Sequence, residues 1–191
     1  MAAKVPTNGL NHGIPFFSDT TNGSIYTHDV SGTDDTAQYN TAFGLVALDA
    51  ITTGDHNTVL GYQAGSAITT GSGNIAIGSF SLDANATADD NTAMGQSALG
   101  QNTTGASNTG LGRSALTANT EGDNNTAIGK DAMIANTTGT RNIAVGALSY
   151  DAADTENDNI AIGYAALGGS VAGGEYNVAI GNYAGDAITS A

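Results

Sequence analysis

From residue 40 onward, polar and apolar residues alternate in a short motif that keeps returning: Asn, a variable residue, Ala, a large aliphatic, Gly. Copies begin at Asn40, Asn57, Asn74, Asn91, Asn108, Asn125, Asn142, Asn159 and Asn177. The first eight are evenly spaced, seventeen positions apart, and the ninth comes one position later than the period requires. The aliphatic place holds Phe43, Leu60, Ile77, Met94, Leu111, Ile128, Val145, Ile162 and Ile180. Small–large alternation over three residues predicts a short strand with unlike faces. A fixed period kept through nine copies predicts a solenoid with one coil per repeat.

The rest of each unit is also patterned. Three residues past the glycine stands a small side chain (Ala115, Ala132, Ser149), followed by a mostly large one (Leu116, Met133, Tyr150), with Gly65 and Gly185 as exceptions. This pair reads as a second short strand. A polar turn closes the unit, as in Thr103-Thr104-Gly105. Gly, Asn and Thr are poor helix formers, and no 3.6-residue period appears. The expected fold is therefore all-β: a parallel β-roll (β-solenoid) of about nine 17-residue coils. At the ~4.8 Å strand spacing it is roughly 40 Å long.

Stacked coils set like residues over like. Asn57, Asn74, Asn91, Asn108, Asn125, Asn142 and Asn159 are expected to form an amide ladder, each bonding the coils above and below. Gly61, Gly78, Gly95, Gly112, Gly129, Gly146 and Gly163 are expected where φ is positive or a backbone passes closely. Asn and Asp tolerate positive φ, yet neither replaces this glycine in any copy. That points to a steric limit as well as a dihedral one. Two strands per coil leave one apolar stripe inside and a second facing outward. An outward stripe running the whole length is an interface, and three rolls around an axis would bury it, so a homotrimer is expected.

Residues 1–39 do not repeat and form an N-terminal arm or cap; residues 40–191 form the roll. The arm carries Pro6, Pro15, the pair Phe16-Phe17 and a strand-like run at Ser24-Ile25-Tyr26-Thr27 among turn signals such as Asn22-Gly23. Two readings stand side by side. The arm caps the first coil, or it docks into a partner through Phe16 and Phe17.

Composition narrows the function classes. Eighteen acids against four bases give a net charge of −14, which argues against nucleic acid or an anionic membrane as partner. There is no cysteine, hence no disulfide. The first residues lack the apolar run of a secretory signal, and no run of about 18 apolar residues predicts a membrane span.

The units Asn57-Thr58-Val59-Leu60-Gly61-Tyr62-Gln63-Ala64-Gly65 and Asn159-Ile160-Ala161-Ile162-Gly163-Tyr164-Ala165-Ala166-Leu167 resemble the head repeats of YadA-like trimeric autotransporter adhesins. They resemble still more the related repeats of bacteriophage fibre and virion-surface proteins. The resemblance spans residues 40–191. It implies a left-handed parallel β-roll, homotrimeric and without enzyme activity. The unit here is longer than in the adhesin heads, and no signal peptide, coiled-coil stalk or anchor barrel is evident. Both departures favour a virus-encoded structural protein. The expected role is a capsid-decoration (cement) protein or a short tail fibre or spike at the virion surface, attached to another virion protein through the arm. The alternative is a head that binds a receptor or host-surface glycan.

Other chemistry finds less support. His12, His28 and His56 do not recur at metal spacing, and no catalytic constellation is evident. Ile128-Gly129-Lys130-Asp131-Ala132 mimics one hexapeptide of the acyltransferase β-helices, which need several such hexads per coil. No cofactor is expected. The alternative is Ca²⁺ at the acidic turns Asp89-Asp90, Glu121-Gly122-Asp123 and Asp151 to Asp158, where oxygen ligands alternate; the bland reading is a solvated loop. Thr-Thr pairs suggest an ice-binding array, but it is broken at Ala86-Thr87 and Thr120-Glu121. Tyr62, Tyr150, Tyr164, Tyr176 and Tyr183 are candidates for a sugar-binding surface.

Overall fold

The computed structural model describes residues 36–169 and 174–186, preceded by the short strands β1 (Ala3–Lys4), β2 (Phe17–Asp19) and β3 (Ser24–Tyr26). Nine three-residue strands follow, one per repeat: β4 (Thr41–Phe43), β5 (Thr58–Leu60), β6 (Ile75–Ile77), β7 (Thr92–Met94), β8 (Thr109–Leu111), β9 (Thr126–Ile128), β10 (Ile143–Val145), β11 (Ile160–Ile162) and β12 (Val178–Ile180). All nine pair in parallel with their sequence neighbours, in the register the period predicts, as in Ala127 opposite Ala144. The fold is an all-β parallel solenoid of about eight turns, with no helix among the described residues.

The parallel ladder begins one strand before the period does. β3 pairs in parallel with β4, and β2 and β1 continue the sheet antiparallel. The strand expected at Ser24 thus belongs to the sheet and covers the edge of β4, as a cap does. Phe16 lies outside the described residues, as does the side chain of Phe17.

Places in the unit are counted below from the asparagine as place 1. The strand turns its place-3 residue inward. Ala42, Ala76, Ala93, Ala127, Ala144 and Ala161 are buried, while places 2 and 4 face out. The expected second strand at places 8 and 9 is not one. The large residue at place 9 sits in the left-handed region, with φ of 51° at Leu99, 54° at Leu116 and 50° at Met133. A strand cannot pass through that conformation. Only a single rung joins neighbouring coils there, as in Leu116 N–H to Ala132 C=O at 3.0 Å. Left-handed φ costs an L-residue about 1–2 kcal/mol, and full burial of a Leu returns roughly 1.5–3 kcal/mol. The left-handed corner is what aims these side chains under the strand alanines, and each is fully buried. At Gly65 and Gly185 the corner needs no such compensation.

Three polar ladders hold the coils. The asparagines at place 1 bond one another along the stack, chiefly from side chain to backbone. Each Oδ1 accepts the backbone N–H of the next asparagine, as Asn108 Oδ1 does from Asn125 N–H at 2.9 Å. From Asn40 to Asn142 each Nδ2 closes its own coil by donating to the carbonyl fourteen positions on, as in Asn125 to Gly139 at 2.7 Å, and in the lengthened coil Asn159 reaches Gly174, fifteen on, at 3.0 Å. A second ladder was missed from sequence: Asn85, Asn102, Asn119 and Asn136 at place 12, all buried. Asn119 and Asn136 each donate to the Oδ1 of the asparagine one coil before, at 2.7 and 2.9 Å. The following coil has Ala153 there, and Asn136 Oδ1 has no hydrogen-bond partner among the described residues. At place 16, an acidic or amide side chain in every second coil reaches back to a backbone N–H. Asp55 takes that of Gln38, Asp89 that of Ser72, Asp123 that of Ala106 and Asn157 that of Thr140, at 2.7–2.8 Å. Alternation keeps the carboxylates two coils apart, which limits like-charge repulsion.

Candidate interaction face

The outward stripe expected from sequence lies on the strand itself. Places 2 and 4 project from one face of the sheet, so Thr, Ile and other aliphatics stand in two adjacent columns. Met94, Leu111, Ile128 and Ile162 remain 36–40 % exposed although each has a coil on both sides. No turn of the roll covers them. The result is a continuous exposed apolar strip that repeats at every coil.

Places 6 and 7 flank it on one side and place 17 on the other. Exposed aromatics gather on these flanks at the two ends of the stack. Near the start, Tyr39 stacks on His56 (4.9 Å between ring centroids) and Tyr62 meets Phe80 edge-on at 5.4 Å. Near the end, Tyr164 meets Tyr183 edge-on at 5.3 Å, and Tyr176 is largely exposed. Tyr150 does not belong to this set. It occupies the left-handed corner of its coil, is fully buried, and its hydroxyl accepts from Asn159 Nδ2 at 2.6 Å. Burial pushes its phenol well above the usual range, with Glu156 adding to the shift. It is a core residue, not a sugar platform.

Charge is sorted about the face. Arg113 and Lys130 stand at place 6 and Arg141 at place 17, and these are the cations of residues 36–169 and 174–186. Lys130 pairs with Asp131. Arg141 holds Asp158 through two bonds of 2.6 and 2.7 Å, which keeps that carboxyl below the ordinary range. Asp90 is the third acid on the flanks. Of the other eleven acids of these residues, ten stand at places 10 to 16, where there is no cation, and Glu175, in the coil lengthened by one residue, bonds Asn157 and lies near Arg141. The sheet face and its flanks are therefore near neutral, and the rest of the described surface is strongly negative.

The acidic turns are engaged with backbone. Asp89 and Asp123 accept amides as described, and Glu156 Oε2 accepts from the N–H groups of Asp154 and Thr155, each at 3.0 Å. Among the described residues no group of three or more His, Cys, Asp or Glu converges as a metal site would require. The turn threonines behave alike. Thr52, Thr69, Thr103 and Thr120 donate their hydroxyls to carbonyls of the next coil at 2.9–3.2 Å, so these hydroxyls are not a free outward array. No helix among the described residues is long and apolar enough to cross a membrane.

Two carboxylates are uncomfortable. Asp83 is raised above its ordinary value by burial. Asp151 is raised by burial too, against its own backbone hydrogen bond, with Asp186 and Asp131 adding repulsion. A Cβ on Gly168 would sit 3.2 Å from both Asp151 Oδ1 and Asp186 Oδ1, so the pair brackets that glycine. A carboxyl whose folded pKa is raised binds its proton more readily in the folded chain. Its destabilisation is present at neutral pH and is relieved as pH falls through the raised value. Lowering the pH from 7 toward the ordinary carboxylate value of 3.8 should raise the melting temperature, by an amount limited by solvent screening of these half-exposed groups. Further acid should reverse the trend as Asp158 loses Arg141. Asp151→Asn should flatten the rise in calorimetric scans. An unchanged slope in that variant would show that Asp151 is not its source.

Comparison with known protein families, with curated proteins and with solved structures finds no match to this chain.

Proposed function

We propose that the chain is a non-enzymatic structural protein of a bacteriophage particle surface, a left-handed homotrimeric roll serving as a capsid-decoration (cement) protein or a short tail fibre or spike. The observation that carries the assembly is the uncovered apolar sheet face with near-neutral flanks. Copies each bearing a net charge of −14 repel one another, so they associate best through the one side where charge is balanced. A continuous strip along every coil suits a cyclic interface of parallel rolls. The likeness of the repeat to phage fibre and virion-surface repeats supports the particle context, with the arm at residues 1–39 as the attachment to another virion protein.

Native mass measurement of the full chain at micromolar concentration should give three copies. Replacing two outward residues, Met94→Asp with Ile128→Asp, should give monomers that keep the β signal in far-ultraviolet dichroism. A stable wild-type monomer would overturn the trimer. Electron microscopy of purified particles carrying the protein then separates decoration from fibre.

A second reading, a head that binds a host-surface glycan, draws on the exposed tyrosines Tyr62, Tyr164, Tyr176 and Tyr183. Aromatic rings with open faces suit sugar stacking. A glycan screen decides it: binding lost on Tyr164→Ala with Tyr183→Ala would favour the head, and no binding at all the structural role.

A further inference from the structure

The charges beside the sheet face are sorted onto two opposite flanks. Arg113 and Lys130 stand at place 6, and Asp90, Arg141 and Asp158 stand at place 17. Lys130 is engaged by Asp131 next to it, and Arg141 by Asp158 one coil on. Arg113 and Asp90 are both exposed, and neither has an ion-pair partner among the described residues. Within one roll they do not serve each other, because they lie beyond opposite ends of the strands. Arg113 follows β8 and Asp90 precedes β7, so they stand one coil apart along the stack, about 4.8 Å.

Polarity decides how such flanks meet. When copies associate about an axis parallel to the stack, the place-6 flank of one roll faces the place-17 flank of the next, and rotation keeps each coil at its own height. Arg113 then faces Ser107 of the neighbouring copy, with Asp90 one coil to one side and Asn124 one coil to the other. Asp90 is the one acid at place 17 within that single step, and an arginine side chain is long enough to span it. In an antiparallel pair with all nine repeat strands overlapping, like flanks face each other instead. Arg113 adjoins β8, the middle strand of the nine. It would meet Arg113 of the other copy, and the like charges would repel.

We propose that Arg113 of each roll pairs with Asp90 of the neighbouring roll, and that this bond sets all copies pointing the same way. The proposal rests on the reading of the sheet face as the contact between copies. The apolar strip alone does not distinguish the two directions, because it offers similar aliphatics at every coil. The flank charges do. The parallel arrangement joins opposite charges, and the antiparallel one sets arginine against arginine. Repulsion in the wrong arrangement selects the right one as effectively as attraction does. An exposed pair adds little affinity of its own, so its part is to choose the arrangement.

Charge reversal in the full chain tests it, with trimer dissociation followed by native mass measurement and folding by far-ultraviolet dichroism. Arg141 already occupies place 17 with φ of 59°, the same as Asp90, so the fold accommodates arginine at residue 90. Arg113→Asp and Asp90→Arg should each raise the concentration of half-dissociation at least about tenfold, because like charges then meet at every joint. The double reversal should return it to within about threefold of wild type, and about 1 M salt should shrink both single deficits. Net charge alone gives a different result: Asp90→Arg makes each copy less negative and would then tighten the trimer. Tightening by Asp90→Arg, single reversals that match wild type, or a double reversal as weak as the singles would each overturn the pair and leave the trimer standing. A wild-type monomer would overturn both.

Discussion

Gly129→Val should lower the melting temperature by on the order of 10 °C and disrupt the stack at its centre. Two independent causes add. The backbone at Gly129 has φ of 139°, far from the left-handed helical well near +57° and in territory reserved for glycine. A Cβ there would lie 2.5 Å from the Gly146 carbonyl oxygen and 2.6 Å from its carbon. The obstacle is backbone of the next coil, which cannot swing away as a side chain would. Strain contributes about 1–3 kcal/mol and overpacking about as much, and each kcal/mol is worth roughly 2–4 °C in a chain of this size.

The same geometry corrects an expectation drawn from sequence. Asn tolerates positive φ, so Gly129→Asn would recover the dihedral part if the residue sat in the left-handed helical well. The observed φ lies well outside it. Gly129→Asn should therefore melt within a few degrees of Gly129→Val, far below wild type. Lys130→Ala, one residue on at an exposed position, should be nearly silent. Thermal melts of the three variants read the difference. A wild-type melting temperature for Gly129→Asn would mean that the strand spacing relaxes locally and that the close approach is not a constraint.

The roll was legible because each coil repeats one steric problem. Asn125, Ala127, Ile128 and Gly129 each occupy an environment so narrow that few residues fit, and stacking copies that environment from coil to coil. The outward stripe was legible for the same reason, since alternation about Ala127 fixes which side chains leave the core. The false second strand shows where periodicity misleads. Small-then-large at Ala132 and Met133 looks like strand alternation, but a buried large residue is equally served by a left-handed corner, and side-chain size does not report φ. Tyr150 misled likewise, since its hydroxyl suggested a surface role that Asn159 satisfies inside the core. The second ladder was within reach. Asn85, Asn102, Asn119 and Asn136 recur with the same period as the first, and the longer, more complete series drew attention from them. The alternate-coil acceptors Asp55, Asp89, Asp123 and Asn157 were hidden because they recur at twice the period, with Ser72, Ala106 and Thr140 between them.

Asn125→Ala should cost about as much as a large core truncation, although it removes only a small polar side chain. Asn125 Nδ2 satisfies the Gly139 carbonyl and Asn125 Oδ1 satisfies the Asn142 N–H at 2.9 Å. Both asparagines are buried, so water cannot readily replace the lost partner. The Asn142 N–H is left without its acceptor, at about 1–3 kcal/mol, while the Gly139 carbonyl loses the shorter of two bonds and keeps Asn136 Nδ2 at 3.2 Å, at about 0.5–1.5 kcal/mol more, for a total of roughly 2–4 kcal/mol. Asn125→Asp separates the two bonds. Its shape is nearly the same, and one oxygen still accepts from Asn142. The other now faces the Gly139 carbonyl, where two acceptors oppose each other and a charge is buried. At pH 7 the Asp variant should be at least as unstable as Asn125→Ala. Its carboxyl should titrate above the usual range in the folded chain, because only the protonated form can donate to Gly139. As pH falls through that raised value, the hydroxyl restores the donor, and the variant should regain stability relative to Asn125→Ala. Melting temperatures of both variants between pH 7 and 4 decide the matter. Parallel curves for the Asp and Ala variants would mean that Asn136 Nδ2, already 3.2 Å from the Gly139 carbonyl, satisfies it alone and that the ladder's grip lies in the Asn142 bond.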